Sequence, residues 1–130
     1  MAEMSNYLEN ALLNATLNAT TYTAPATVYV SLWTSDPTDA GSGTEVSGGS
    51  YARTAVSFAT ASGTSGNVLN DADVTFPTAT ASWGTVGWIG INDALSSGNL
   101  LYHTALDTAK TSDSGDIFKI STGNLSVTLA

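Results

Sequence analysis

Apolar positions recur with a helical period at the start of the chain and with a period of two after it. Met4, Leu8, Leu12 and Ala15 stand at i, i+4, i+8 and i+11, and Ala11 widens the stripe. This spacing predicts a short amphipathic helix from Met4 to about Leu17. Asn6 and Glu9 have the spacing of a capping box. Beyond Leu12, Asn14, Thr16, Asn18 and Thr20 offer the backbone competing hydrogen bonds and weaken the helix. A helix this short, with one apolar stripe, is stable only when packed on another surface.

From Thr23 onward Val28, Val30 and Leu32 alternate with Tyr29, Ser31 and Trp33, a strand that Asp36-Pro37 ends. Val56 and Phe58 share a face with Ala52 and Thr54, and Val74 and Phe76 form a short strand stopped by Pro77. From Trp83 to Asn92, Val86 and Trp88 oppose Ile89 and Ile91, so both faces are apolar and a central, buried strand is expected. The interleaved Gly84, Gly87 and Gly90 predict a bulge or a close backbone approach there. Leu100 to Leu106 reads as a further strand. Ile117–Ile120 and Leu125–Leu129 flank Ser121-Thr-Gly-Asn124 and read as a hairpin. Three longer loops are expected at 34–50, 61–71 and 107–116. The small residues of the first suggest conformational freedom in isolation. The pattern as a whole predicts an all-β fold: an antiparallel β-sandwich, jelly-roll-like, with a short N-terminal α-helix. Residues 1–22 form the helical arm and 23–130 the sandwich.

Composition narrows the chemistry. Serine and threonine supply 36 residues and alanine 18, a bias that suits pleated surfaces over long helices. Cysteine is absent, which excludes disulfides and thiolate metal sites. The net charge is −8, and Arg53, Lys110 and Lys119 are the only cations. Binding to phosphate backbones or anionic lipid draws on several cations, so neither nucleic acid nor membrane is an expected partner. Glu3 and Glu9 stand where a secretory signal carries positive charge, and no run approaches the roughly 18 apolar residues of a membrane span.

Nothing in the spacing assembles an active site. His103 is the only histidine, and Asp107 lies about 13 Å along an extended strand from it. His103 is therefore expected on a strand, facing solvent or an interface. The acidic pairs Asp71/Asp73 and Asp113/Asp116, and the group Asp36, Asp39 and Glu45, match no calcium loop and read as solvated turns. No catalytic, cofactor-binding or metal-binding set is expected. Trp33, Trp83 and Trp88 could line a carbohydrate platform, which would make the chain a carbohydrate-binding module; core and interface positions are the competing reading. Among so few charges, Glu45 and Arg53 stand at either end of the glycine-rich stretch Glu45-Val-Ser-Gly-Gly-Ser-Tyr-Ala-Arg53, and they are expected to pair. The candidate structural and interface residues are Met4, Leu8, Leu12, Glu45, Tyr51 and Arg53.

Several segments in order carry a resemblance. They are Val28-Tyr-Val-Ser-Leu-Trp-Thr34 with Asp36-Pro37, Gly43-Thr-Glu-Val-Ser-Gly-Gly-Ser-Tyr-Ala-Arg53, Val74-Thr-Phe-Pro77, Trp83-Gly-Thr-Val86, Ile89-Gly-Ile-Asn-Asp93 and Gly98-Asn-Leu-Leu101. Their order resembles a family of small bacteriophage virion proteins, which includes capsid decoration (cement) proteins and tail-fibre-like proteins. The resemblance implies a structural virion component and supplies no catalytic residues. One compact domain without repeats fits a cement protein on the capsid exterior, made in the host cytoplasm. Such a protein would bind the major capsid protein and itself, as a homotrimer. A tail or fibre-associated adaptor is the alternative.

Overall fold

The computed structural model describes residues 2–63 and 66–129. In chain order its elements are β1 (Glu3–Met4), α1 (Asn6–Leu17), β2 (Val28–Trp33), β3 (Thr54–Val56), β4 (Asn67–Leu69), β5 (Val74–Thr75), β6 (Gly84–Asn92), β7 (Leu100–Ser112), β8 (Lys119–Ile120) and β9 (Ser126–Thr128). Five strands form one antiparallel sheet in the order β1-β7-β6-β2-β3, and the others pair as two ribbons, β4-β9 and β5-β8. The chain is all-β with one short N-terminal helix, as its hydrophobic pattern predicts.

The doubly apolar strand β6 sits at the centre of the sheet. Val30 lies opposite Ile91 and Leu32 opposite Ile89 in the β2-β6 pair, so the four share a face. That face packs on Val74, Phe76, Phe118, Leu125 and Val127, contributed by and around the ribbons, to form the core. Each such side chain contributes about 1.5–3 kcal/mol on burial. The other face is polar at its centre. There Trp33 Nε1 donates to Ser31 Oγ at 2.8 Å, and Ser31 Oγ donates to Asn92 Oδ1 at 2.6 Å. The helix and the 34–50 loop join over this side, where the backbone N–H of Asn6 donates to Asp39 O at 2.9 Å.

The glycines of β6 do what the pattern predicts. Gly87 sits at a bulge, where the register shifts between Val86 opposite Lys110 and Trp88 opposite Ala105. Gly90 lies where the sheet meets Leu100, Ser31 and Trp33, which leave no room for a side chain.

Other expectations are corrected. The helix begins at Asn6, not Met4, and its N-cap is Ser5, whose Oγ accepts from Leu8 N at 3.2 Å. Met4 belongs to β1, opposite Tyr102. Strand β7 runs on to Ser112 and takes up half of the loop expected at 107–116. Of the loop expected at 61–71, residues 64 and 65 lie outside the described residues and 67–69 form β4; Met1 and Ala130, at the ends of the two expected segments, also lie outside the described residues. The turn at 121–124 forms, but its flanks do not pair with each other: β8 pairs with β5 and β9 with β4. Buried Asn70 is the reason. Its Nδ2 donates to Ala72 O and Ser121 O, its Oδ1 accepts from Leu125 N, and its backbone carbonyl accepts from Gly123 N. This wedge takes the hydrogen bonds that a hairpin would have used.

A methyl group at Gly90 would lie 2.7 Å from Leu100 Cδ1, 2.8 Å from Ser31 Oγ and 2.9 Å from Trp33 Nε1, whereas one at Gly87 would meet nothing within 4 Å. Gly90→Ala is expected to cost about 1–3 kcal/mol, and Gly87→Ala to stay within about 0.5 kcal/mol. Urea denaturation of the two variants checks this; equal midpoints would contradict the packing constraint.

Candidate functional site

The glycine-rich stretch is folded back on the sheet and is not the free loop that its small residues suggest. Thr34 N donates to Thr44 O and Val46 N to Leu32 O, both at 2.9 Å, which places Glu45 opposite Trp33 as an extension of β2. Asp36 Oδ1 accepts from Thr38 N, and buried Pro37 offers its carbonyl to Ser42 N at 2.7 Å. Gly49, at φ +57°, presses against the Trp83 indole, whose Nε1 donates to Gly49 O at 2.9 Å. A loop whose polar backbone is satisfied in this way needs no partner to order it.

Glu45, Tyr51 and Arg53 meet at the end of this stretch. Arg53 grips the carboxylate with two parallel bonds, Nε to Oε2 at 2.9 Å and Nη2 to Oε1 at 2.8 Å. Its remaining Nη1 donates to Ala94 O at 3.0 Å and Ser97 O at 2.8 Å. The Tyr51 hydroxyl donates to Glu45 Oε2 at 2.6 Å and accepts from Leu32 N at 3.0 Å. One guanidinium therefore ties the loop, the approach to β3 and the 93–98 turn together. The Arg53 side chain is 10 % exposed and that of Glu45 22 %. Such shielding makes a bidentate pair stronger than a surface one.

The electrostatics follow from this geometry. Burial alone would raise the Glu45 pKa, but the hydrogen bonds from Arg53 and Tyr51 and the Arg53 charge outweigh it and hold the carboxyl below its ordinary value. Burial first, and then the neighbouring carboxylate, push the Tyr51 hydroxyl far above its ordinary range. The hydrogen bonds with Glu45 raise Arg53 further still. The Tyr51 ring completes the anchor, edge-on to Trp83 at 5.5 Å and stacked on Phe76 at 6.3 Å.

A cavity of about 290 Å³ separates this clamp from the first turn of α1, with Tyr7, Arg53, Asn92 and Asn99 among its walls. Met4, Leu8 and Leu12 lie apart from the clamp. Leu8 is buried against its own chain, while Met4 and Leu12 are half-buried. The apolar surface left open on α1 is instead Tyr7, Leu13 and Leu17.

The three tryptophans do not form a platform. Trp33 and Trp83 are buried, the first in the polar chain to Ser31 and the second against Gly49, and Trp88 is half-buried. Sequence reasoning missed one cluster. His103 is buried and not facing solvent, and its Nε2 lies 2.8 Å from Asp39 Oδ1 and 3.9 Å from Glu3 Oε2. The three residues, at positions 3, 39 and 103, are far apart in the sequence and no local spacing signals them. A pairing of the first residues with β7 was the clue, and an expected helix start at Met4 concealed it.

The family described as Podophage GP4 fiber I protein gp80 matches residues 3–128, nearly the whole chain, and the chain belongs to that family. It is a structural protein of a phage virion. No curated protein matches it.

Arg53→Ala would strand a shielded carboxylate and is expected to cost about 2–4 kcal/mol, while Lys110→Ala, on the exposed part of β7, should stay within about 0.5 kcal/mol. Equal denaturation midpoints would remove the clamp from its structural role. Because the folded Glu45 pKa is depressed, its contribution is fully present above the ordinary value of 4.5 and is lost as pH falls through the folded value. Glu45→Gln should therefore lower stability near neutral pH and flatten the acid limb of the stability curve; an unchanged limb would count against the pairing.

Proposed function

We propose that the protein is a fibre-associated structural subunit of the phage tail, an adaptor that joins a fibre to the particle. The observation that carries this reading is the family match, which spans the compact body and bears a fibre designation. The fold supports an adaptor more than a shaft. The chain has one core, its longest loop is pinned by its own hydrogen bonds, and the sheet ends in short strands, three residues in β3 and two in β1. A rigid small body of this kind docks with little loss of conformational freedom, because its surface is ordered beforehand. The open apolar residues of α1, Tyr7, Leu13 and Leu17, supply a contact element. The net negative charge keeps the unassembled subunit soluble.

A shell-decorating role places the same fold on the capsid exterior, and copy number separates the two. Quantitative mass spectrometry of purified virions is expected to give a few copies per particle, with antibody label on the tail. Virions lacking the protein should keep shells of ordinary heat stability and lose host adsorption. Hundreds of copies per particle, together with early rupture of depleted shells and saturable rescue by added protein, would overturn the fibre assignment in favour of a cement protein.

A further inference from the structure

Three ligand-type side chains converge on one side of the five-stranded sheet, outside the Glu45–Arg53 clamp. His103 comes from β7, Glu3 from its cross-strand partner position in β1, and Asp39 from the loop over that face. One imidazole nitrogen and two carboxylate oxygens lie within 4.8 Å of one another. The imidazole is 5 % exposed and fixed in the sheet, whereas the Glu3 and Asp39 side chains are 72 % and 47 % exposed.

We propose that Glu3, Asp39 and His103 bind one divalent first-row cation of the zinc class, which fastens the N-terminal strand and the 34–50 loop to β7. Two carboxylates face a nitrogen that carries at most one hydrogen, so a hydrogen bond satisfies one of them and leaves the other. A divalent cation satisfies all three donors at once. One imidazole with two carboxylates is a donor set that suits Zn²⁺. Bonds of about 2.0–2.2 Å around a tetrahedral ion set ligand atoms about 3.4 Å apart. The observed separations from His103 Nε2, 2.8 Å to Asp39 and 3.9 Å to Glu3, fall on either side of that spacing. The two exposed carboxylates can close the difference by rotating, and the buried imidazole keeps its place.

A second feature points the same way. A cavity of about 360 Å³ opens beside the cluster, and Glu3, His103, Asp36 and Asp107 are among its walls, with no lysine or arginine. It leaves room for water at the fourth position of the ion. Its two further carboxylates add negative potential that favours a cation.

The proposal stands independently of the fibre assignment, and metal titration tests it. Tag-free full-length protein, freed of metal with a chelator, is titrated calorimetrically with ZnCl2, and thermal unfolding is followed alongside. One Zn²⁺ per chain is expected, with a rise in Tm that EDTA reverses. Glu3→Gln and Asp39→Asn alter exposed groups and leave the fold intact, so they carry the test in case the buried His103→Ala variant fails to fold. Each is expected to weaken Zn²⁺ binding about tenfold or more. Absence of saturable binding at millimolar ZnCl2, unchanged affinity in both carboxylate variants, or tighter binding of CaCl2 than of ZnCl2 would overturn it.

Discussion

A carboxylate taken largely out of water has to be matched on every side, and Glu45 is matched by Arg53 and Tyr51. The match fixes more than one side chain. Tyr51 can reach Glu45 only if its ring lies against Phe76 and Trp83, and Trp83 can lie there only if Gly49 makes room and accepts its N–H. Arg53, held by the same carboxylate, caps the carbonyls of Ala94 and Ser97 with its Nη1. The glycine-rich stretch is thus ordered from both ends by one ion pair and one aromatic anchor. Its glycines serve the fit of the backbone and do not make a hinge.

The sheet divides the molecule into two environments with different rules. On the ribbon side, Val30, Leu32, Ile89 and Ile91 meet Phe76, Phe118, Leu125 and Val127, and apolar area is the driving term. On the helix side, the Trp33–Ser31–Asn92 chain and the His103 imidazole, which meets the exposed Asp39, are buried polar groups that stabilise only when paired. That side is closed by segments far apart in sequence: β1, Ser5 with α1, and the 34–50 loop. Ser5 joins them, donating its hydroxyl to Leu100 O and its backbone N–H to Leu101 O while capping the helix. The N-terminal segment is therefore part of the folded body's second layer.

Where side-chain pattern alone decided the structure, the sequence was legible. The central place of β6 follows from its two apolar faces, and the bulge and close approach follow from Gly87 and Gly90. The Glu45–Arg53 pair was legible because charges are so few that two flanking a turn have little else to meet. Long-range pairing was not legible. Residues 107–112 of β7 are aspartate, threonine, alanine, lysine and serine, without apolar alternation, and become a strand because β6 runs alongside them. The 121–124 turn gave a true local signal, yet its flanks went to β4 and β5 because Asn70 intervenes. His103 and Asp39 are 64 residues apart, and only the folded sheet brings them together.

The two charged clusters answer the same problem with different means. In a chain with three cations, most carboxylates must stay in water, and Asp73, exposed beside Lys119 and Thr122, is one that does. Arg53 is spent on Glu45, so the carboxylates near His103 have no arginine or lysine to neutralise them at their cavity. A fold with this composition can close its polar face by a bound cation, which supplies two positive charges and joins all three segments that converge there. For a particle component, a cation at that junction would secure the N-terminal strand β1, which is two residues long and lies at the edge of the sheet.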